Sequence, residues 1–260
     1  MSRLTSLPPV MVAPNGARRT KADHPALPMT IPETVACAGA CATAGAGAIH
    51  AHLRDAQGRH WLDAGAYREL IAEMERTVPA MPVQITTEAA GRYDPADQRA
   101  LLRQVTPEGV SIALAEMLAD GDRAAARRSY HALAEAGVAV QHILYDAGQV
   151  DWLARELASG TLPDTPLQLL FVLGRYTEGQ RSTPAMLAPF LVALDALTKR
   201  HEAGTDWAVC AFGPTETACL AAARRAGGKA RVGFENNLFM ADGRRARDNA
   251  ERVAEIAALG

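Results

Sequence analysis

Two histidines one residue apart, His50 and His52, stand in the apolar stretch GAIHAHLRD, and Glu235 closes a second apolar run, ARVGFENN, near the other end of the chain. In an extended strand, residues i and i+2 point to one face with Cα atoms roughly 6.5 Å apart. Two imidazoles so placed can reach one divalent ion at about 2.0–2.1 Å. A carboxylate from another strand would complete a His2Glu set that keeps a position open for water or substrate, as catalytic zinc requires. The HxH spacing alone suits two hydrogen-bonded polar residues lining a barrel mouth equally well. Glu235 alone suits a solvated carboxylate or a partner of Arg231.

Other polar residues follow apolar runs in the same way. They are Asn15; Arg54 and Asp55; Thr86, Thr87 and Glu88; Ser111 and Glu116; Tyr145 and Asp146; Arg231 and Asn236. Thr215 and Glu216 follow Gly213-Pro214, which reads first as a helix cap and second as an anion site. Arg175 and Arg181 in GRYTEGQRS are candidate contacts for a phosphate or carboxylate, although loop arginines more commonly bind nothing specific. His142 lies mid-strand and reads as a packed histidine; Trp61 and Trp152 read as packing residues.

The elements that must position these groups show in an alternation. Short apolar runs recur at VMVA, GAIHAHL, MPVQIT, GVSIAL, GVAVQHILY, PLQLLFVL, WAVCAF and ARVGF, each followed by an Ala/Leu/Glu/Arg-rich stretch with helical spacing. Strands apolar at nearly every position belong to a parallel sheet covered on both faces, and eight βα units in a chain of 260 residues match a (β/α)8 TIM barrel. A doubly wound open sheet is the second choice. No linker interrupts the series, so residues 1–260 read as one domain. Thr30 is the expected cap of the first helix with Pro32 at its first position, and Asp248 with Glu251 forms a capping box. Gly137 and Gly204 stand where glycines end helices. Active sites of such barrels lie at the C-terminal ends of the strands. In a closed barrel the eighth strand is two away from the second, so Glu235 can face the mouth that His50 and His52 face.

Composition narrows the partners. A net charge of -2 offers no basic surface for nucleic acid. The N-terminal MSRLTSLPPVMVAPNGARR lacks the apolar core of a signal peptide, and no uncharged apolar run reaches the eighteen or so residues of a membrane span. The expectation is a cytoplasmic protein that does not contact membranes. Cys37, Cys41, Cys210 and Cys219 form no CxxC pair and read as reduced core residues.

With these residues placed, the chain resembles the β-keto acid cleavage enzymes, the family of the 3-keto-5-aminohexanoate cleavage enzyme. The segments APNGARRTKADHPALPMTIPE, AGAGAIHAHLRDAQGR, VQITT, FVLG, WAVCAFG, AGGKARVGFENNLF and DNAERV stand in the family's order along nearly the whole chain. The resemblance implies a barrel that uses Zn2+ to condense a β-keto acid with acetyl-CoA, giving acetoacetate and a new CoA thioester, and it suggests a homo-oligomer. Carried over by position, it makes His50, His52 and Glu235 the metal ligands, sets Arg231 beside the reacting centre and puts Thr86 near the substrate's carboxylate. Asn15, Arg18 and Thr87 join Thr86 as candidate substrate contacts, and Arg54 and Asp55 become supports of the metal site.

Two departures from the family stand out. Where the family reads GFEDN, with the aspartate proposed as general base, this chain has Asn236, and an amide accepts no proton at neutral pH. Glu116 and Glu88 are the candidate replacements. Where the amino-keto acid enzyme has a glutamate after TGA, Arg18 follows NGA and would repel an ammonium and favour an anion. The same residues leave open a metal-dependent lyase or hydrolase that uses no CoA, and a catalytically silent metal- or ligand-binding barrel.

Overall fold

Eight parallel strands close into a barrel in sequence order: β1 (Val10–Val12), β2 (Ala48–Ala51), β3 (Val83–Thr86), β4 (Gly109–Ala113), β5 (Ala139–Leu144), β6 (Leu167–Leu173), β7 (Thr205–Ala211) and β8 (Lys229–Val232), with β8 paired back to β1. The computed structural model describes residues 4–259. The outer ring is α1 (Ile31–Thr43), α2 (Ala64–Thr77), α3 (Pro95–Leu102), α4 (Leu114–Met117), α5 (Arg123–Glu135), α6 (Ala147–Ala158), α7 (Leu187–Thr198), α8 (Glu216–Arg225) and α9 (Asn249–Ala257). The (β/α)8 TIM barrel expected from the alternation is the fold. The short α4, directly after β4, is an addition that the periodicity did not separate. No helix among the described residues is long and apolar enough to cross a membrane.

Strand alternation divides the barrel residues into two layers. Val12, Ile49, Ile85, Val110, Leu169, Phe171 and Val209 belong to the large core that packs with the helices. Met11, Ala48, Ala113, Ile143, Leu170, Val172 and Cys210 form a separate cluster, as residues of opposite parity must. The lumen layer is also polar. Gln84 donates to Gln141 Oε1 at 3.1 Å, and Gln168 donates to the Leu4 carbonyl at 2.6 Å. Leu4 and Leu7 join the lumen cluster, with the Leu7 amide 2.8 Å from Asp206 Oδ2.

Local signals set most helix ends, with four corrections. Thr30 caps α1 in a capping box with Glu33, but the helix begins at Ile31, so Pro32 is its second residue. Asp248 accepts from the Glu251 amide as expected, whereas Glu251 reaches past it to the Arg247 amide, because Arg244 and Arg247 draw its carboxylate outward. Gly137, φ 70°, follows α5 as read. Gly204 does not end α7, which stops at Thr198; its carbonyl accepts from Leu167, which anchors the entry to β7. Thr215 precedes α8 but its hydroxyl donates to the Ser182 carbonyl at 2.6 Å and makes no cap bond. The cysteines are free thiols, with Cys41, Cys210 and Cys219 buried.

Candidate active site

β2 ends with His50 in the strand and His52 just beyond it, and both rings turn into a pocket at the C-terminal mouth of the barrel. His50 Nε2 and His52 Nε2 stand 3.0 Å apart. Glu235, three residues past β8, brings Oε2 to 3.6 Å from the first and 3.8 Å from the second. A point equidistant from these three atoms lies about 2 Å from each, the bond length of zinc to imidazole nitrogen or carboxylate oxygen. Glu235 Oε2 is buried with no hydrogen-bond partner, so a carboxylate oxygen is held out of water facing two ring nitrogens. Burial, with the charge of Arg231 adding to it, lowers His50 to about 4, and burial takes His52 well below its ordinary value. Burial opposes ionisation of Glu235, but Arg231 and His50 outweigh it and keep the carboxyl below its usual range. Two neutral imidazoles and one carboxylate are the protonation states a divalent cation requires.

The loop from β1 to α1 completes the mouth. Asn15 is buried with its side chain engaged by main chain: Nδ2 donates to the carbonyls of His52, at 2.9 Å, and Pro28, and Oδ1 accepts from the His52 amide. Arg54 donates to five carbonyls, those of Asn15, Gly16, Ala17, Arg19 and Gly58, and so holds this loop against the turn after β2. Asp55 shapes that turn through Gln57 and Arg59 and pairs with Arg92. Gly16 has φ 59°, and a Cβ there would lie 2.6 Å from Glu235 Cγ, so only glycine lets the carboxylate stand where it does. Arg19 ties the loop to the carbonyls of Phe234 and Asn236. Arg18 lines the exposed rim.

Among the carboxylates after β3 and β4, only Glu88 lines the pocket. Its Oε1 is 3.4 Å from Arg175 and its Oε2 3.7 Å from His52 Nδ1. Burial first, and then the charge of Glu235, push its carboxyl up to about 7. Glu116 stands behind it, accepting from the Ala89 amide at 2.8 Å and from Gln98 at 3.0 Å, and does not reach the pocket wall. Thr86 lines the pocket and accepts from the Glu88 amide, while Thr87 donates to the Ser111 carbonyl, away from the pocket. Asn236 is fully buried, its amide oxygen and nitrogen are without partners, and it too is absent from the pocket wall.

Arg231 rises from β8 and is buried. One nitrogen donates to Glu235 Oε1 at 3.3 Å and to Cys210 Sγ, while Nη1 and Nε have no partner. Ile143, Val172 and Phe212 supply an apolar wall, with Arg175 over the Phe212 ring. His142 points to the helix layer against Tyr130, and its Nδ1 is unpaired. Sequence reasoning passed over Gln84, His60 and Arg19. His60 had a readable signal: Asp55-Ala56-Gln57-Gly58 makes a tight turn, Gly58 φ 75°, that pairs Arg54 with His60 and returns the third histidine to His52.

The sequence profile of the beta-keto acid cleavage enzymes matches residues 9–260. The 3-keto-5-aminohexanoate cleavage enzyme of Fusobacterium nucleatum subsp. nucleatum is 28% identical over 251 residues, 94% of this chain and 88% of that protein; the enzyme of the same name from Acetoanaerobium sticklandii is 26% identical over the same shares. Among solved structures, apo ObcA superposes with a TM-score of 0.68 at 17% identity over 90% of this chain, and the ternary complex of ObcA with a C4-CoA adduct and oxalate with 0.67 at 16% over 90%. This chain spans 61% and 63% of those two proteins. At these identities the likeness concerns the fold. The profile match over nearly the whole chain shows that it belongs to the beta-keto acid cleavage enzyme family.

Proposed function

We propose that the protein is a zinc-dependent enzyme that condenses a β-keto acid with acetyl-CoA. The bond between C2 and C3 of the keto acid breaks, C2 with its carboxylate is joined to the acetyl group as acetoacetate, and the acyl group containing C3 passes to the CoA sulfur. The observation that carries this reading is the convergence of His50 Nε2, His52 Nε2 and the unpartnered Glu235 Oε2 on one point at the floor of the mouth. Zn2+ held by these three residues would act as a Lewis acid on the keto and carboxylate oxygens. Further support comes from the relatives named for cleaving 3-keto-5-aminohexanoate and from the C4-CoA adduct bound in the ternary ObcA complex.

The chain's own residues take the remaining roles. Glu88 removes the C2 proton: burial and the charge of Glu235 raise its carboxyl above the ordinary range, to about 7 with no cation bound, which suits it to general base work. Glu116 stiffens the segment after Glu88 through the Ala89 amide and moves no proton itself. Arg231, with Nη1 and Nε unpaired in a buried site, stabilises the negative charge that develops on the substrate. Thr86 and Arg18 contact the anionic parts of the substrate. Asn15 acts by holding the main chain of His52, and Thr87 by holding the end of β3 to β4. Asn236 supplies no proton acceptor.

A panel of β-keto acids incubated with acetyl-CoA and followed for new thioesters tests the reaction. Thioester formation with one zinc per chain, both lost in His50→Ala and in Glu235→Ala, is expected. Turnover of keto acid without CoA would replace the transferase reading with a lyase or hydrolase, and protein that binds no divalent metal would end both.

A further inference from the structure

Each mouth histidine has a second ring nitrogen, and what that nitrogen touches fixes where the proton sits. The Glu88 main-chain carbonyl can only accept, so His60 Nε2, 2.8 Å away, donates to it. A neutral imidazole carries one N–H, which leaves His60 Nδ1 bare. His52 Nδ1, at 3.4 Å, therefore donates to His60, and the lone pair of His52 is left on Nε2. At the other histidine, His50 Nδ1 lies 2.8 Å from Gln84 Oε1, and the Gln84 amide nitrogen is turned to Gln141 Oε1 at 3.1 Å. His50 Nδ1 then carries the proton, and its Nε2 is bare as well. Two lone pairs facing each other across 3.0 Å repel unless a cation lies between them.

Building on the metal site proposed above, we propose that Gln84 and His60 are positioning residues that hold His50 and His52 in the Nδ1–H tautomer and so present both Nε2 lone pairs to one divalent cation. Both are buried, Gln84 in the barrel lumen and His60 on the turn after β2, and neither belongs to the converging set of His50, His52 and Glu235. Two unrelated elements play equivalent parts. One is a lumen glutamine chain that spans β3 and β5; the other is a main-chain carbonyl after β3 relayed through a third histidine. Outer partners of this kind orient a ligand ring and raise its basicity.

The test uses full-length, zinc-loaded protein with 15N-labelled histidine. Two-bond 1H–15N spectra are expected to show the ring proton on Nδ1 for His50 and His52 and on Nε2 for His60. Ligation of zinc through Nδ1 of either His50 or His52, or a proton on His60 Nδ1, overturns the proposal. Zinc affinity, read by competition with a chromophoric chelator, is expected to fall about 10–100-fold in Gln84→Met and in His60→Phe. It should stay near wild type in Gln84→Glu, whose carboxylate still accepts. Wild-type affinity in both Gln84→Met and His60→Phe also overturns it, whereas wild-type protein that binds no zinc brings down the metal assignment on which it rests.

Discussion

At the scale of single residues, the proposed chemistry turns on which carboxylate reaches the pocket. Asn236 takes the position where the resembled family has an aspartate, and of the two substitutes only Glu88 is on the pocket wall. Glu88→Gln should lower kcat by about 10²–10⁴ while leaving zinc content unchanged, checked by thioester formation alongside metal analysis. Asn236→Asp should change activity little and destabilise the fold, because it places a carboxylate in a buried site that offers the present amide no partner. A large gain in turnover from that variant would move the base to position 236. The pH dependence follows from the raised value of Glu88. Its base form grows as pH rises, so kcat/KM should climb from acid pH towards neutrality in wild type, with zinc bound beside it bringing the midpoint below the value of about 7 that holds without a cation. For stability the sign is opposite. The folded carboxyl holds its proton more tightly than the unfolded one, near about 4.3, so its contribution is complete below that value and is lost as pH rises through about 7. Melting temperatures of metal-free protein followed from about pH 5 to about pH 8 should therefore fall less steeply for Glu88→Gln than for wild type.

At the scale of elements, the mouth is built by loops that the strands alone do not hold. The β1–α1 loop stands on Arg54, whose guanidinium satisfies five carbonyls at once. Arg54→Met leaves those carbonyls unpaired in a mostly buried place and should cost about 2–5 kcal/mol in urea denaturation, with new proteolytic cleavage between residues 15 and 20. An unchanged midpoint would show that water replaces the guanidinium without penalty. The same loop carries Gly16 against Glu235. Gly16→Ala adds a Cβ that must push the carboxylate aside, besides roughly 1–2 kcal/mol of left-handed backbone strain. Zinc affinity measured by chelator competition should drop with little loss of helix content.

At the scale of the whole molecule, the barrel is closed by β8 pairing with β1, and the helices that follow β7 and β8 are joined by a buried ion pair. Arg252 of α9 donates to Glu216 of α8 at 2.7 Å, with both side chains out of contact with water. Removing one partner strands the other charge, so Arg252→Met should destabilise the protein by about 3–5 kcal/mol, whereas the double change Arg252→Met with Glu216→Leu should recover much of that loss in the same denaturation series. Much of this architecture is legible in the chain. The alternation of β-branched runs with helical spacing is a local signal, and eight repeats of it leave few ways to bury every strand on both faces. The HxH spacing and the strand-end position of Glu235 are local signals too, and with the strand order they name the three converging groups. What the sequence does not contain is the direction of a side chain across a gap. Glu88 and Glu116 both follow strands and both carry a carboxyl, yet one lines the pocket and the other turns to the Ala89 amide. Gln84 reads as one polar residue in a strand until β5 brings Gln141 beside it. The sequence by itself therefore determined the barrel and the identity of the candidate ligands, since both depend on periodicity along the backbone. Only the tertiary structure decided which carboxylate lines the pocket and which partners the second ring nitrogens meet. Both depend on hydrogen bonds made across neighbouring strands or across a returning turn, between residues far apart along the chain or brought back together by that turn.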